Sequence, residues 1–349
     1  MFHFITKKIG YGLLVLIGVV IIVFFMFQGF ADPARLIVGQ TGDKQTMDNI
    51  RRELYLDQPK WKQFFLYIND VSPLSIHSKE EIEEKKLIGF FVGDEKKLGL
   101  KIPYLRRSYQ TKKDVIDVLL EALPGTIMLA FAAMLFATVI GILLGVLAAV
   151  KQNTWVDTTA VFTSVIGISA PSFFMAIVIA WLFGIVLHSY TGLNLTGSWF
   201  DIDETTGERY FTLQNLILPA ITLGIRPLAI ITQLTRSSML DVLNQDYIRT
   251  AYAKGLNKRT VVFKHALRNA LNPVITAITG WFAELLAGAF FVEYIFGWKG
   301  IGKVTVDALD KLDYPVVMGS VLFSAAFFIV INILADILYG VVDPRVRLR

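Results

Sequence analysis

The chain has 349 residues, of which 54% are hydrophobic and only 18% are charged, and its mean hydropathy is +0.55. This balance is typical of a membrane protein rather than of a soluble chain of this length. The sequence contains no cysteine, which excludes disulfides, thiolate metal sites and cysteine nucleophiles. The net charge of +5 does not indicate a nucleic-acid partner, because basic residues collect in the cytoplasmic loops of membrane proteins.

Six apolar runs are long enough to cross a bilayer, which takes roughly 20 helical residues. They lie at about 9–29, 124–150, 156–187, 214–235, 273–296 and 314–341. The sequence therefore predicts an all-α polytopic membrane protein with six transmembrane helices. The third and sixth runs are overlong, which predicts either tilt or extension beyond the hydrocarbon. We expect the first run to be a retained anchor, because it is long for the core of a signal peptide.

Basic residues are unevenly distributed between alternate loops. The predicted inside segments carry thirteen of them: Lys7, Lys8, Lys151, Arg236, Arg249, Lys254, Lys258, Arg259, Lys264, Arg268, Arg345, Arg347 and Arg349. The short outside loops carry four: Arg209, Lys299, Lys303 and Lys311. Because an excess of lysine and arginine marks the cytoplasmic side, both termini are predicted to be cytoplasmic.

The predicted spans divide the chain into three parts. They are transmembrane helix 1 at 1–30, one larger extracytoplasmic segment or small domain at 31–113, and a transmembrane domain at 114–349, which holds helices 2–6 and the cytoplasmic loop 236–272. In the extracytoplasmic part we expect short helices at Lys44–Leu56 and Lys60–Ile68, with surface turns at 78–86 and 93–101. A partly ordered loop is the alternative there.

Small residues and prolines mark the predicted spans. A small residue recurs every fourth position of the second span, at Ala133, Ala137, Gly141, Gly145 and Ala149. Such a ridge predicts close contact with another helix, since packing drives helix association in lipid. Pro171, Pro219 and Pro227 predict either functional bends or ordinary packing kinks in the third and fourth spans.

The loop 236–272 carries strong local signals for two short helices. Asn244 or Asp246 is a candidate N-cap of the first helix, and Gly255 is suited to end it in the left-handed conformation. Asn257 then predicts the cap of a second helix that runs to Leu271, with Asn272-Pro273 at the start of the fifth span. We expect Tyr247, Ile248, Ala251 and Tyr252 to share one side of the first helix. This face suits a soluble partner, and an interfacial helix on anionic lipid is the alternative.

The loop and several other segments also resemble a known family. One part of the loop resembles the cytoplasmic "EAA" loop of ABC-importer permeases, because Gly255 is followed, after nine residues, by His265-x-Leu267. Arg249-Thr250-Ala251 stands at the position of the name-giving triplet. Further segments resemble the oligopeptide, dipeptide and nickel branch: Asp32-Pro-Ala-Arg35, Leu56-Asp-Gln-Pro59, Leu234-Thr-Arg-Ser-Ser-Met-Leu240, His265-Ala-Leu-Arg-Asn-Ala-Leu-Asn-Pro-Val-Ile275, Asp313-Tyr-Pro-Val316 and Asp343-Pro-Arg-Val-Arg347. Two features depart from the pattern. Arg249 and Arg268 replace an acidic residue and a proline, and segment 72–113 is longer than is usual in this branch.

The resemblance implies the permease subunit of an ATP-driven importer, most directly for di- and oligopeptides, in the bacterial inner membrane. It implies pairing with a second homologous permease, two cytoplasmic ATPases that bind ATP and magnesium, an extracytoplasmic substrate-binding protein, and membrane lipid. The chain itself would hold no catalytic residue, no cofactor and no metal. The implied ATPase-coupling residues are Asp246, Tyr247, Ile248, Arg249, Thr250, Ala251, Tyr252, Lys254 and Gly255.

A near match to a phosphate-binding loop occurs at Gly297-Trp-Lys-Gly-Ile-Gly302-Lys303-Val304. Valine stands where the magnesium-binding hydroxyl belongs, and no strand precedes the segment. We therefore expect ATP to be bound by other chains. A membrane-embedded enzyme is disfavoured because no H-E-x-x-H pair or nucleophile-base set lies in the spans. A secondary transporter is disfavoured because the two halves show no matching interrupted helices.

Arg226 and Glu284 are ionisable residues inside predicted spans, which makes them functional candidates. They are predicted to line a translocation pathway and to contact the carboxylate and ammonium groups of a zwitterionic peptide. The alternative is an ion pair between them or with the partner permease.

Overall fold

The computed structural model describes residues 2–28, 51, 55–202, 209–287 and 289–342. It consists of two compact units. The first comprises Met1–Gly10, Ala122–Val304 and Ala326–Arg349, and the second comprises Tyr11–Glu121 and Thr305–Ala325. The predicted helix at Lys44–Leu56 lies almost wholly outside the described residues. The predicted boundaries at 30 and 113 stay predictions.

Helices dominate the described chain. In chain order they are α1 (Phe2–Gln28), α2 (Lys60–Val71), α3 (Lys79–Glu84), α4 (Val115–Val150), α5 (Trp155–Ser169), α6 (Ser172–Trp181), α7 (His188–Thr191), α8 (Ile217–Leu243), α9 (Asp246–Ala253), α10 (Lys258–Thr260), α11 (Leu267–Ala287), α12 (Phe290–Ile295), α13 (Ile301–Asp310) and α14 (Tyr314–Val342). The π-helical segments Leu182–Val186 and Val261–Ala266 and a 3₁₀ turn at Leu213–Leu216 join some of them.

Among the described residues, four helices are long and apolar enough to cross a membrane: Thr6–Phe27, Val115–Val150, Leu213–Leu243 and Tyr314–Ile337. The pair Trp155–Ser169 and Ser172–Val186 passes the same test together but bends by 109° at its break. The chain is thus a mostly helical polytopic membrane protein, and the all-α prediction is wrong because the described residues also form two small sheets. The predicted span 273–296 corresponds to α11 and α12 and is absent from this set.

The break between α5 and α6 lies at Pro171, inside the third predicted run. Ala170 is extended, with φ −75° and ψ 128°, because the residue before a proline avoids the helical region. The interruption of the third span that Pro171 predicts is therefore confirmed, and the two halves are bent by 109°. Pro227, in contrast, lies inside the unbroken α8.

Two predicted helix boundaries are also wrong. Pro124, where the second apolar run was predicted to begin, lies inside α4, which already begins at Val115. Pro273 lies inside α11, and helical backbone is continuous from Lys258 to Ala287. Continuous helical backbone thus joins the loop after α9 to the apolar part of α11.

The small-residue ridge of α4 packs against α8, as the sequence predicts. A Cβ at Gly141 would lie 2.9 Å from Ile231 Cγ2, and one at Gly145 would lie 2.6 Å from the Thr232 carbonyl oxygen. The two helices approach equally closely at Gly224 of α8, where an added Cβ would lie 2.8 Å from the Ala133 carbonyl oxygen of α4. Ala133 and Ala137 are fully buried.

The second unit contains a three-stranded antiparallel sheet of β1 (Leu74–Ser78), β2 (Gly89–Val92) and β3 (Lys96–Lys101), in the order β1-β3-β2. The predicted turns at 78–86 and 93–101 are therefore wrong over most of their length. Ser78 instead caps α3 in a capping box with Glu81, and β3 occupies most of the second stretch. The predicted helix at Lys60 is confirmed as α2. A second hairpin, β4 (Phe200–Ile202) and β5 (Arg209–Phe211), belongs to the first unit.

The core of the second unit combines apolar and charged groups. Val20, Phe24, Tyr67 and Leu322 form a buried apolar cluster. Nearby, the Lys85 ammonium lies 2.7 Å from Asp70 Oδ1 and also donates to the Tyr55 hydroxyl. The Lys101 ammonium donates to the Asp70 carbonyl oxygen. These contacts satisfy the buried charges.

Candidate functional site

The helix α9 ends in a Schellman motif. Gly255 has φ +77°, the left-handed conformation that its position predicts. Its N–H donates to the Tyr252 carbonyl over 2.9 Å, and the Leu256 N–H donates to the Ala251 carbonyl over 3.3 Å. These two bonds satisfy carbonyl groups that a helix end leaves free. The predicted C-terminal stop is confirmed.

The N-terminal cap of α9 differs from the prediction. The N-cap is Gln245, which makes no side-chain cap hydrogen bond. The Asn244 amide instead donates back to the Leu240 carbonyl of α8 over 3.0 Å. The second predicted cap is confirmed, because Asn257 accepts from the Thr260 N–H over 2.8 Å at the start of α10.

One side of α9 is buried against its own chain. Ile248 is 1% exposed and Ala251 is 8% exposed. They share a core with residues of α4, α8 and the segment after α10: Val146, Ala149, Met239, Val261, Val262, Ala266 and Ala270. Tyr247, Ile248, Ala251 and Tyr252 share one side of the helix, as their spacing predicts, but only the two aliphatic members are buried. Burial of this side fixes α9 to the membrane helices.

The remaining surface of α9 is exposed. Tyr247 and Tyr252 are 43% and 44% exposed. The remaining predicted coupling residues are also exposed: Asp246, Arg249, Thr250, Lys254 and Gly255. The Tyr247 hydroxyl accepts from the Asn269 amide over 2.9 Å, which fixes one ring. The result is a short polar surface with two aromatic side chains.

Arg226 and Glu284 line the same cavity. It has a volume of about 180 Å³ and lies beside the break at Pro171, between α8, α11 and α12. The Arg226 guanidinium lies 5.5 Å from the centre of the Trp281 ring, a cation-π contact. In the described part of the chain neither Arg226 nor Glu284 forms an ion pair within 4.0 Å, so the predicted pairing of the two with each other is wrong.

Asp157 and Arg236 form an ion pair that the sequence did not reveal. Two Arg236 nitrogens donate to the carboxylate, with Nη2 2.8 Å from Oδ2. The Asp157 side chain is 6% exposed and also accepts from the Asn153 N–H over 3.0 Å. The pair joins the start of α5 to the end of α8. Its two members are 79 positions apart, and no local spacing connects them.

The near match to a phosphate loop encloses a carboxylate of its own chain. Glu293 is completely buried. Its oxygens accept from the Thr126 hydroxyl over 2.8 Å, the Gly302 N–H over 2.7 Å and the Lys303 N–H over 3.2 Å. A Cβ at Gly300 would collide with the same carboxylate. The N–H groups of this glycine-rich segment thus donate to a carboxyl group of the same chain, that of Glu293.

The described residues hold no cluster of three or more histidine, cysteine, aspartate or glutamate side chains placed to bind a metal ion.

Two family models match the chain. Residues 141–348 match the "Binding-protein-dependent transport system inner membrane component". Residues 1–82 match the model for the N-terminal part of the membrane component of these transport systems. Residues 83–140, which include β2 and β3, lie between the two matched ranges.

Curated relatives cover nearly the whole chain. The dipeptide transport system permease protein DppB of Escherichia coli is 36% identical over 99% of both chains. DppB of Alkalihalophilus pseudofirmus is 35% identical over 95% of this chain and 96% of its own. The glutathione transport system permease protein GsiC of Escherichia coli is 33% identical over 99% of both.

A solved structure shares the fold. A chain of the MetNI methionine ABC transporter, in an inward-facing conformation, aligns with a TM-score of 0.50 and 16% identity. The alignment covers 65% of this chain and 97% of the other.

Proposed function

Because the chain belongs to the family of inner membrane components of binding-protein-dependent transport systems, we propose that it imports di- and oligopeptides as one permease subunit of an ATP-driven transporter. Its relatives DppB and GsiC are named for dipeptide and glutathione transport, and both substrates are short peptides. The chain forms one half of the translocation pathway.

The proposed topology has six transmembrane helices with both termini in the cytoplasm. Four single helices and the α5–α6 pair supply five of the spans. The sixth is α11 with α12, which is less apolar because one face carries polar groups such as Glu284. The distribution of lysine and arginine supports this orientation and puts the loop 236–272 in the cytoplasm. In this orientation the segment 31–113 is extracytoplasmic.

The proposed complex contains a second homologous permease, two cytoplasmic ATPases and an extracytoplasmic binding protein. The partner ATPases bind ATP and magnesium, and this chain contributes no catalytic residue, cofactor or metal ligand. The family description supports the requirement for a binding protein. The Gly297–Val304 segment supports the assignment of ATP to other chains, because Glu293 already occupies its anion position.

Helix α9 is the proposed coupling helix. The observation that carries this proposal is its two-sided burial, with Ile248 buried in the chain's own core and Tyr252 exposed. A helix held in this way moves together with α4 and α8 when a partner pushes on its open side. ATPase closure would thereby bias the permease between two packings of its helices.

Arg226 and Glu284 are proposed to line the pathway. Charged side chains that are exposed on membrane helices do not face lipid, because an unpaired charge there is costly. The cavity surface that carries them therefore faces water or the second permease. A zwitterionic peptide supplies a carboxylate for Arg226 and an ammonium group for Glu284.

The importer proposal is tested by reconstituting the chain with its partners in proteoliposomes. We expect dipeptide uptake only with ATP and a hydrolysing ATPase, and none with an ATPase variant that binds but does not hydrolyse ATP. Uptake by this chain alone, driven by an ion gradient, would overturn the proposal.

The pathway assignment is tested with Arg226→Ala and Glu284→Gln. Arg226→Ala should slow uptake of peptides with a free carboxylate more than uptake of amidated ones. Glu284→Gln should act in the same way on peptides with a free amino group. If both variants instead weaken association with the second permease and leave peptide preference unchanged, the two residues belong to the subunit interface.

A further inference from the structure

One face of α4 is apolar and exposed along its length. Phe131, Leu135, Val139, Leu143 and Leu147 recur every fourth residue and are 61%, 55%, 48%, 51% and 43% exposed. They lie roughly opposite the buried small-residue ridge that packs on α8. In a membrane helix, an exposed apolar stripe of this kind faces lipid acyl chains.

A groove opens at the Leu147 end of this stripe. It has a volume of about 550 Å³ and lies between the last turns of α4 and the helical segment that starts at Lys258. Leu143 and Leu147 continue into it from the lipid-facing stripe, and Phe263 forms part of the opposite wall. Val146 and Val262, each 4% exposed, form its buried base. The groove is therefore continuous with the exposed apolar stripe of α4.

Two cations lie at the rim of the groove. Lys258 and Arg259 are adjacent in sequence, both are exposed, and both line the groove. Within the described part of the chain neither forms an ion pair. A surface that combines an apolar slot with two adjacent unpaired cations is complementary to a molecule with an acyl chain and a phosphate group.

We propose that this groove binds an anionic phospholipid. One acyl chain lies along Leu143, Leu147 and Phe263, and the phosphate contacts Lys258 and Arg259. The placement of the groove at the cytoplasmic leaflet rests on the proposed function and its topology. The two cations favour an anionic lipid over a zwitterionic one, because the headgroup amine of a zwitterionic lipid offsets the negative charge of its phosphate.

The site lies next to the coupling helix. Val146 and Val262 form the base of the groove and also belong to the core that buries Ile248 of α9. A lipid in the groove therefore packs on the reverse side of the same core. The bound lipid stabilises the attachment of α9 to α4, which makes the lipid a regulator of coupling.

Lipid binding is tested directly by native mass spectrometry of the intact transporter complex with added phosphatidylglycerol or phosphatidylcholine. We expect retention of phosphatidylglycerol and little retention of phosphatidylcholine. Lys258→Gln with Arg259→Gln should weaken phosphatidylglycerol binding about 30-fold, because two phosphate contacts are lost. Leu143→Trp should also reduce binding by filling the groove, without any change of charge.

The matched control is Lys264→Gln with Arg268→Gln, which removes two exposed cations from the same loop but outside the groove. Phosphatidylglycerol binding should be unchanged in this control. An equal loss of phosphatidylglycerol binding in both double variants would mean that the loop attracts the lipid by its general positive charge. The proposed site would then be wrong. Displacement of the lipid by millimolar inorganic phosphate would make it a free-anion site instead.

If the groove binds a protein instead of a lipid, the same variant should give a different result. If Lys258→Gln with Arg259→Gln abolishes ATPase co-purification while phosphatidylglycerol binding persists, the groove is a protein contact and the lipid proposal is wrong. The binding measurement does not depend on transport. Failure of ATP-driven uptake with lipid binding intact would therefore count against the proposed function alone.

Discussion

Arg236 and Asp157 join two membrane helices through a two-point ion pair, with Arg236 Nη2 2.8 Å from Asp157 Oδ2. Arg236 lies near the end of α8, seven residues before that helix ends at Leu243 and the chain turns into α9. Asp157 lies in the first turn of α5, the first half of the broken pair. The segment that leads into the proposed coupling helix is thus attached to the element that breaks at Pro171.

Arg236→Ala should destabilise the protein by about 3 kcal/mol, because it leaves the buried Asp157 carboxylate without its cation. Thermal unfolding in detergent would measure this loss. Arg236→Lys keeps the charge but not the two-point geometry, so it should recover part of the stability. An unchanged melting temperature for Arg236→Ala would show that the pair contributes nothing.

The two sides of α9 should respond differently to truncation. Tyr252→Ala removes an exposed ring and should reduce ATPase co-purification while the melting temperature of the permease stays the same. Ile248→Ala removes a fully buried side chain and should cost about 2–5 kcal/mol of stability. Co-purification and thermal unfolding, measured on both variants, separate the two effects. Normal ATPase binding by Tyr252→Ala would remove this tyrosine from the coupling surface.

Gly255 should tolerate alanine poorly although its surroundings are open. No atom lies within 4 Å of a Cβ built there, but φ is +77°. Gly255→Ala should therefore cost about 1–2 kcal/mol from backbone conformation alone. Gly280 is the control, because it also has open space but lies inside the helix α11. Gly280→Ala should be neutral or slightly stabilising. Equal thermal unfolding of the two variants would contradict the left-handed helix end.

Lys101 should make the stability of the second unit depend on pH. Burial lowers the pKa of Lys101 to about 8, with the attraction of Asp70 opposing the shift and repulsion from Lys85 adding to it. The folded pKa lies below the ordinary value of 10.5, so the unfolded chain binds more protons between these two values. Stability should therefore rise with pH from about 8 to 10.5.

The measurement is the difference in melting temperature between the wild type and Lys101→Arg across this range. Arginine stays protonated throughout, so the variant lacks the contribution of Lys101. Other titrating groups, such as surface lysines, contribute equally to the melting temperatures of both proteins, so their contributions cancel in the difference. A difference that does not change with pH would show that Lys101 keeps its ordinary pKa.

Local sequence signals predicted part of the structure well. The spacing of small residues in α4 predicted close contact with another helix, and the structure shows that this helix is α8. Gly255 and Asn257 predicted a helix end and a helix start, because each acts on its own backbone within a few residues. The family resemblance is confirmed by the two family models and the curated relatives.

The features that the sequence did not predict depend on contacts between distant residues. Pro171 indicated a bend or kink in the run 156–187, but its local sequence did not show that the two halves lie at 109°. The aliphatic and aromatic residues of α9 have similar spacing, so sequence alone did not show that Ile248 is covered by α4 and by the segment after α10. Glu293 finds its hydroxyl partner at Thr126, 167 positions away.

Glu293 acts as an internal ligand for the glycine-rich loop that follows it. Loops that bind a free anion are often ordered only when the anion arrives, whereas this loop carries its anion in the same polypeptide. Its conformation is therefore set by contacts within the single polypeptide, because Glu293 accepts from the Gly302 and Lys303 N–H groups. Glu293→Ala would leave both N–H groups without this acceptor, so the loop would lose the contact that fixes its conformation.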